Sequence, residues 1–184
     1  MSLRFRRSIQ LIPGVRLNFS KSALGLSVGV AGVGTARYAL AAARYGSDKA
    51  IFGYGYTGSM TNLVSNTGVV STDVTGVGTT RFYTAAAGYG SDKAIFGYGS
   101  TGGYVSMTNL VSNTGVVSSD VTGVGTTRFA PAAAGYGSDK AIFGYGNNGG
   151  NQSMTNLVSN TGVVSSDVAG VGTARYGPAA ASYG

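Results

Sequence analysis

A chain of 184 residues with no cysteine and no histidine builds no disulfide, no thiolate or imidazole metal site and no Ser–His or Cys–His catalytic pair. Only 10% of its residues are charged, its six carboxylates are all Asp, and its net charge is +7. With 32 glycines and much Ala, Ser, Thr and Val, the composition suits short strands and tight turns, not long helices. No run approaches the roughly 18 apolar residues that a membrane-spanning helix needs. The start lacks a continuous apolar stretch and a cleavage site, so no signal peptide is expected. Nothing in the composition implies a cofactor.

In chain order, residues 1–30 read as a small antiparallel meander. Leu3, Phe5, Ile9 and Leu11 alternate with Arg4, Arg6, Ser8 and Gln10, the period-2 pattern of a half-buried strand. Pro13-Gly14 marks a turn, and Val15, Leu17 and Phe19 then alternate with Arg16, Asn18 and Ser20. After Lys21-Ser22, the residues Leu24, Leu26, Val28 and Val30 alternate with small residues. Residues 1–21 hold Arg4, Arg6, Arg7, Arg16 and Lys21 without an acid, so +5 of the +7 lies there. Arg4 and Arg6 share a strand face, and Arg16 is expected across from them. Such a face attracts phosphates of nucleic acid, lipid or surface glycan. Equally, it is an ordinary solvated strand that discourages edge pairing. The matching segments RFRRS (residues 4–8), PGVRLN (13–18) and SKS (20–22) resemble a short bacterial N-terminal family of unknown function, with Ala23 where that family has Gly. The resemblance implies a β-meander and no activity.

Residues 31–184 are copies of one unit. GYGSDKAIFGYG stands at residues 88–99 and 135–146, with RYGSDKAIFGYG at 44–55, and SMTNLVSNTGVVS starts at Ser59, Ser106 and Ser153. The closing phrase GVGT(A/T)R ends at Arg37, Arg81, Arg128 and Arg175, a period of 44, 47 and 47 residues that signals a repeat architecture. Each unit offers four strand-like runs, in the second copy residues 82–90, 93–99, 107–113 and 116–125. Four short antiparallel strands in this length is the content of a propeller blade. The equivalent residues Phe52, Phe96 and Phe143 are each expected to be buried on the second strand.

The order of features, Arg81, the small residues Ala85–Ala87, then Ile95-Phe96-Gly97-Tyr98-Gly99 and the turn Asn113-Thr114-Gly115 before Val116-Val117, resembles kelch-type propeller repeats over residues 32–184. GYG stands for the family's double glycine, and Val117 stands near the place of its Trp. Arrays of KAIFGYG type also look like those of phage-associated and environmental bacterial proteins, which implies a virion or surface role. The expected fold is therefore all-β: a β-propeller-like array of three four-stranded repeats after the N-terminal meander.

Asp48, Asp92 and Asp139 recur in the hairpin turn, and Asp73, Asp120 and Asp167 recur on the fourth run. Recurrence in every copy argues for structure: turn Asp residues bond their own backbone, and the others can pair with Arg81, Arg128 or Arg175. A calcium site needs several carboxylates converging on one ion, which one Asp per turn does not supply. Tyr54, Tyr98 and Tyr145 sit between glycines, either packed between blades or forming a repeated aromatic surface. The phrase from Gly76 to Thr80 lacks the Lys-Ser/Thr ending of a phosphate loop. No nucleophile, base and orienter assemble, so no enzyme is expected.

The loop after GYG alone breaks the uniformity. It holds Tyr56 and Thr57 in the first copy, STGGYV with Ser100 and Tyr104 in the second, and NNGGNQ with Asn147, Asn148, Asn151 and Gln152 in the third. Per-repeat insertions map to one face of a repeat protein, often the binding face; tolerated surface drift is the plainer explanation. The expected function is a scaffold or binding module that recognises a glycan or protein through these loops. The alternatives are a self-assembling structural protein or a polyanion-binding adaptor using Arg4, Arg6, Arg7 and Arg16. Residues 30–37 repeat 168–175 letter for letter, and residues 176–183 form a fourth copy of the first run. That phasing predicts head-to-tail association, with a dimer of six blades favoured over an open polymer.

Overall fold

The computed structural model describes residues 34–182, together with the strand backbone of residues 6–12, 15–20 and 23–28. It divides into two compact units, Met1–Ala36 and Arg37–Gly184. Every regular element among the described residues is a strand. In the first unit β1 (Arg6–Ile12), β2 (Val15–Ser20) and β3 (Ala23–Val28) pair antiparallel in that order. Arg6 pairs with Ser20 and Arg16 with Gln10, so Arg16 lies at the far end of the ladder from Arg6 and not across from it. The turn at Pro13-Gly14, the residues Leu3, Arg4 and Phe5, and Lys21, Ser22 and Val30 lie outside the described residues.

The second unit contains three antiparallel sheets of near-identical construction. They are β4 (Ala41–Tyr45), β5 (Lys49–Gly53) and β6 (Thr61–Val64); β7 (Ala85–Tyr89), β8 (Lys93–Ser100) and β9 (Tyr104–Val111); and β10 (Ala132–Tyr136), β11 (Lys140–Gly144) and β12 (Thr155–Val158). The same register recurs in each, Ala41 opposite Gly53, Ala85 opposite Gly97 and Ala132 opposite Gly144. The longer STGGYV loop lets the middle hairpin continue to the Ser100–Tyr104 pair beyond an irregularity at Tyr98. The sheets do not close into a barrel.

Each sheet has three strands, not the four expected. The run over residues 116–125 pairs with the backbone of its neighbour only through isolated bridges, Val117 to Val111 and Val121 to Thr108. Between those bridges the Asn109 side chain donates to the Ser118 carbonyl at 3.0 Å and to Asp120 Oδ1 at 2.9 Å. The Ser118 hydroxyl accepts from Leu110 N at 3.0 Å. Side chains thus do the work of the ladder, so the run follows β9 without becoming a strand.

Successive sheets stack. β7 lies against both β4 and β10, and the Phe of each later sheet presses on a glycine of the sheet before. A Cβ on Gly53 would lie 2.7 Å from Phe96 Cζ, and one on Gly97 would lie 2.7 Å from Phe143 Cζ. Only glycine admits that approach. Phe96 and Phe143 are fully buried and meet Tyr54 and Tyr98 edge-on at 5.1 Å. Phe52, expected to be buried like them, is 37% exposed.

Truncating these rings separates the three positions. Phe96→Ala and Phe143→Ala are each expected to cost about 3–5 kcal/mol in urea unfolding, and Phe52→Ala less than about 1.5 kcal/mol. Equal losses at all three positions would contradict the stacking.

Candidate functional site

The recurring Tyr, Arg, Asn and Asp converge at the joints between repeats. Arg81 closes the first repeat, and its guanidinium lies 4.6 Å from the Tyr54 ring centroid of that repeat. It reaches into the second repeat, donating to Asn109 Oδ1 at 2.6 Å and pairing with Asp120 at 3.5 Å. Arg128 repeats the arrangement over Tyr98 at 4.2 Å, with Asn156 at 2.6 Å and Asp167 at 3.9 Å. Both arginine side chains are fully buried. The preceding threonine completes the joint, with Thr79 donating from N and Oγ1 to Asp120 and Thr126 doing the same to Asp167. Gly78, at φ +77°, is required there, because a Cβ would sit 2.3 Å from the Asp120 carboxylate. Arg37 enters the first repeat alike, donating to the Tyr54 and Met60 carbonyls and to Asn62.

Burial works to raise the Asp120 and Asp167 carboxyls. Hydrogen bonds from threonine and asparagine and the arginine charge overcome it, and both sit below the ordinary carboxylate range. Burial also pushes Tyr54 and Tyr98 up to about 12 against the opposing pull of the arginines. Their hydroxyls donate to the carbonyls of Val77 and Val124. Apart from Arg81 Nε and Arg128 Nε, which are buried without a partner, these groups bond one another within the joint, so the recurring set serves cohesion. The turn residues Asp48, Asp92 and Asp139 pair with Lys49, Lys93 and Lys140 at 3.4, 3.2 and 2.9 Å, and Asn66 and Asn113 donate to the first two.

The variable loops lie at the other end of the hairpins, and there the rings line up. Tyr38 stacks on Tyr56 at 4.9 Å; Tyr56 meets Phe82 at 5.3 Å; Phe82 meets Tyr83 at 5.6 Å. Tyr83 then meets Phe129 at 5.7 Å, and Phe129 contacts Tyr104 and Tyr176 at 5.1 and 5.3 Å. Seven rings therefore run unbroken across the three repeats. Tyr38, Tyr56, Tyr83, Tyr104 and Tyr176 are all exposed. The row is held by the residue after each ring, since Ala39, Tyr83 and Ala130 adopt positive φ and Tyr83 N and Ala130 N donate to the carbonyls of Ala39 and Tyr83.

Of the loop residues singled out by sequence, Tyr56 and Tyr104 belong to the row. Thr57 is exposed beside it. Ser100 is buried and exchanges backbone hydrogen bonds with Phe82, so it anchors the loop and offers nothing outward. The third loop has no ring. Its amides bond within the loop, Asn147 to Asn151 and Gln152 to Asn148. Phe82, Tyr83, Phe129, Tyr38 and Tyr176 were not singled out by sequence, although an aromatic follows the arginine of every GVGT(A/T)R phrase.

At the opposite, turn end a groove of about 410 Å³ is lined by Arg44, Tyr89, Lys93, Tyr136 and Lys140. Asp92 and Asp139 counter its lysines, so it is no bare cationic surface. Arg6, Arg7 and Arg16 stand on β1 and β2 of the first unit, and Arg4 lies outside the described residues. No described helix is long and apolar enough to cross a membrane. Residues 3–38 match a family described as a protein of unknown function (DUF4236). No curated protein matches the chain.

The joint chemistry sets a pH window. The lowered Asp120 and Asp167 contribute stability that is complete above the ordinary carboxyl range, about pH 4, and lost as pH falls through their folded values. The raised Tyr54 and Tyr98 contribute stability that is complete below pH 10 and lost as pH rises toward about 12. Thermal unfolding followed from pH 2 to 12 is expected to show a plateau with a fall at each end. Asp120→Asn with Asp167→Asn is expected to flatten the acid limb, and an unchanged limb would remove these carboxylates as its cause. Arg81→Ala is expected to cost about 2–5 kcal/mol in urea unfolding, since it empties a fully buried place and strands the buried Asn109 Oδ1.

Proposed function

We propose that residues 37–182 form a non-enzymatic recognition module, a propeller-like array that binds a glycan chain along the exposed aromatic row, with the variable loops selecting the sugar. The row itself carries this reading. A monomeric surface does not ordinarily leave five tyrosines open in one contiguous strip, and such strips mark interaction sites. Aromatic faces take up the apolar C–H face of a sugar ring, while tyrosine hydroxyls bond the sugar's own hydroxyls. The amide-rich third loop adds donors and acceptors of the same kind. A protein ligand would use the same strip through tyrosine anchors.

The blade-like reading is supported by the recurring three-stranded sheets and the bridged fourth segment that follows each. The likeness of the KAIFGYG arrays to phage-associated and environmental bacterial proteins supports a place at a virion or cell surface. The non-enzymatic part rests on the sequence, which has neither the thiol nor the imidazole of the common catalytic sets.

A glycan array probed with the intact chain and with Tyr56→Ala, Tyr104→Ala and an exchange of STGGYV for NNGGNQ tests this. Each lost ring is expected to weaken binding roughly tenfold, about 1.4 kcal/mol, with the circular dichroism spectrum unchanged. The loop exchange is expected to change which glycans are retained. Binding that ignores both the rings and the loops removes the basis of the proposal.

A further inference from the structure

The joints between repeats leave one unmatched half at each end of the stack, and the two halves correspond. Phe96 fills the place over Gly53 and Tyr54, and Phe143 fills the place over Gly97 and Tyr98. Among the described residues no ring lies over Gly144 and Tyr145. A Cβ built on Gly144 would meet only the Thr155 methyl at 3.2 Å. The space is an apolar cavity of about 130 Å³ lined by Ala132, Ala133, Ile142, Gly144, Tyr145 and the passing residues Pro178–Ala180. Arg175 lies over the Tyr145 ring at 5.3 Å, as Arg81 and Arg128 lie over theirs. Gly172, the counterpart of Gly78 and Gly125, has nothing within 4 Å where those two meet Asp120 and Asp167. At the first repeat, Phe52 is exposed on the equivalent strand position.

We propose that this cavity is a docking site for a second copy of the chain, which inserts its Phe52 over Gly144 and Tyr145. The occupant follows from continuity with an interface the molecule already makes twice. The surface around Phe52 is built from the same letters, KAIFGYG, that bring Phe96 and Phe143 into their slots.

The copy does not dock on an empty face. Residues Pro178–Ser182 lie beside β10, with the Ser182 hydroxyl accepting from Gly135 N at 3.0 Å. They hold the place that β7 takes beside β4 and β10 takes beside β7. Residues 174–184 read ARYGPAAASYG against ARYALAAARYG at 36–46, so the tail is a near-copy of the segment the incoming chain would bring. Arg37 of the incoming chain is already seated in its own first repeat, which makes Arg175 and the residues after it redundant in the joined state. The tail therefore acts as a competitive plug: docking requires its displacement, and the fraction of chains with the tail released scales the apparent affinity.

The contact is heterologous, so two complementary variants of the full 184-residue chain test it. Phe52→Ala removes the insert and keeps the cavity; Gly144→Leu fills the cavity from within and keeps the insert. Phe52 is exposed, and a Cβ at Gly144 meets only the Thr155 methyl, at 3.2 Å, which has to give by a few tenths of an ångström. Circular dichroism of each variant therefore checks that it folds. In sedimentation velocity over a concentration series, each variant alone is expected to stay monomeric. Their mixture is expected to give a species that stops at one chain of each. The unmodified chain is expected to grow beyond two or to close as a ring. Ending the chain at Ala174 is expected to lower the concentration of half-association roughly tenfold, by removing the plug. An unmodified chain that stays monomeric throughout overturns the proposal. So does association that persists in either variant alone, because it then uses another surface. Should the shortened chain fail to fold by circular dichroism, the variant pair in the full chain decides alone.

Discussion

The structure depends on one constraint: a short strand pair with few charges and much glycine does not bury enough by itself, so each sheet must lean on the next. Glycine makes that contact close. At Gly53 and Gly97 the backbone is bare, and the phenyl ring of the following sheet lies where a Cβ would stand. The arginine that ends each repeat then crosses the contact, resting on a tyrosine behind and bonding an asparagine and an aspartate ahead. Apolar packing gives the joint its area, and the buried arginine fixes its register. An unpartnered cation there would be costly, so the repeats stack in one alignment.

This division explains what the sequence revealed and what it hid. The period, the all-β class and the hairpin at each Ser-Asp turn were legible, because each is a local pattern repeated. That the later Asp of each unit can meet a recurring arginine was legible too, but not that Asp120 meets Arg81 and Asp167 meets Arg128. The fourth strand was not. Val116-Val117 has strand propensity, but Asn109, Ser118 and Asp120 satisfy the segment through side chains. A reader of propensity alone has no sign of that exchange. Burial was equally hidden. Phe52 and Phe96 sit in identical KAIFGYG segments, yet one is exposed and the other sealed. Position in the stack decides, and position is not written in the repeat. The alanine strand shows the same effect, since β7 buries alternate residues between two neighbours while β10 is only half covered.

The aromatic row was half legible. Tyr56 and Tyr104 stood out because they fall in loops that differ between copies. Tyr38, Phe82, Phe129 and Tyr176 escaped notice as the start of an apparent strand, where an aromatic is ordinary. Their backbone is not extended there: the residue after each ring, Ala39, Tyr83, Ala130 or Gly177, has positive φ. That left-handed step lifts the ring out of the sheet and toward the loops. The strain is tolerated because the same backbone groups bond from repeat to repeat, Tyr83 N to Ala39 and Ala130 N to Tyr83.

Separating the joints from the loops has a consequence for how such a chain changes. The groups that hold the stack, Gly53, Phe96, Arg81, Asn109 and Asp120, lie in the segments that are nearly invariant between copies. The loops hang from the far end of each hairpin and meet the joint arginines through the backbone, Arg128 N donating to the Val105 carbonyl and Arg175 N to that of Gln152. In the middle repeat Ser100 ties the loop base to Phe82 through two backbone bonds, and Asn147 does the same to Phe129 in the third. A loop can therefore gain three residues, as the second and third have over the first, while the anchor and the ring beside it stay in place. Loop length and composition are free to vary at little cost in stability, because loop-closure entropy grows slowly with length. A constant row of rings framed by exchangeable loops follows directly from that separation.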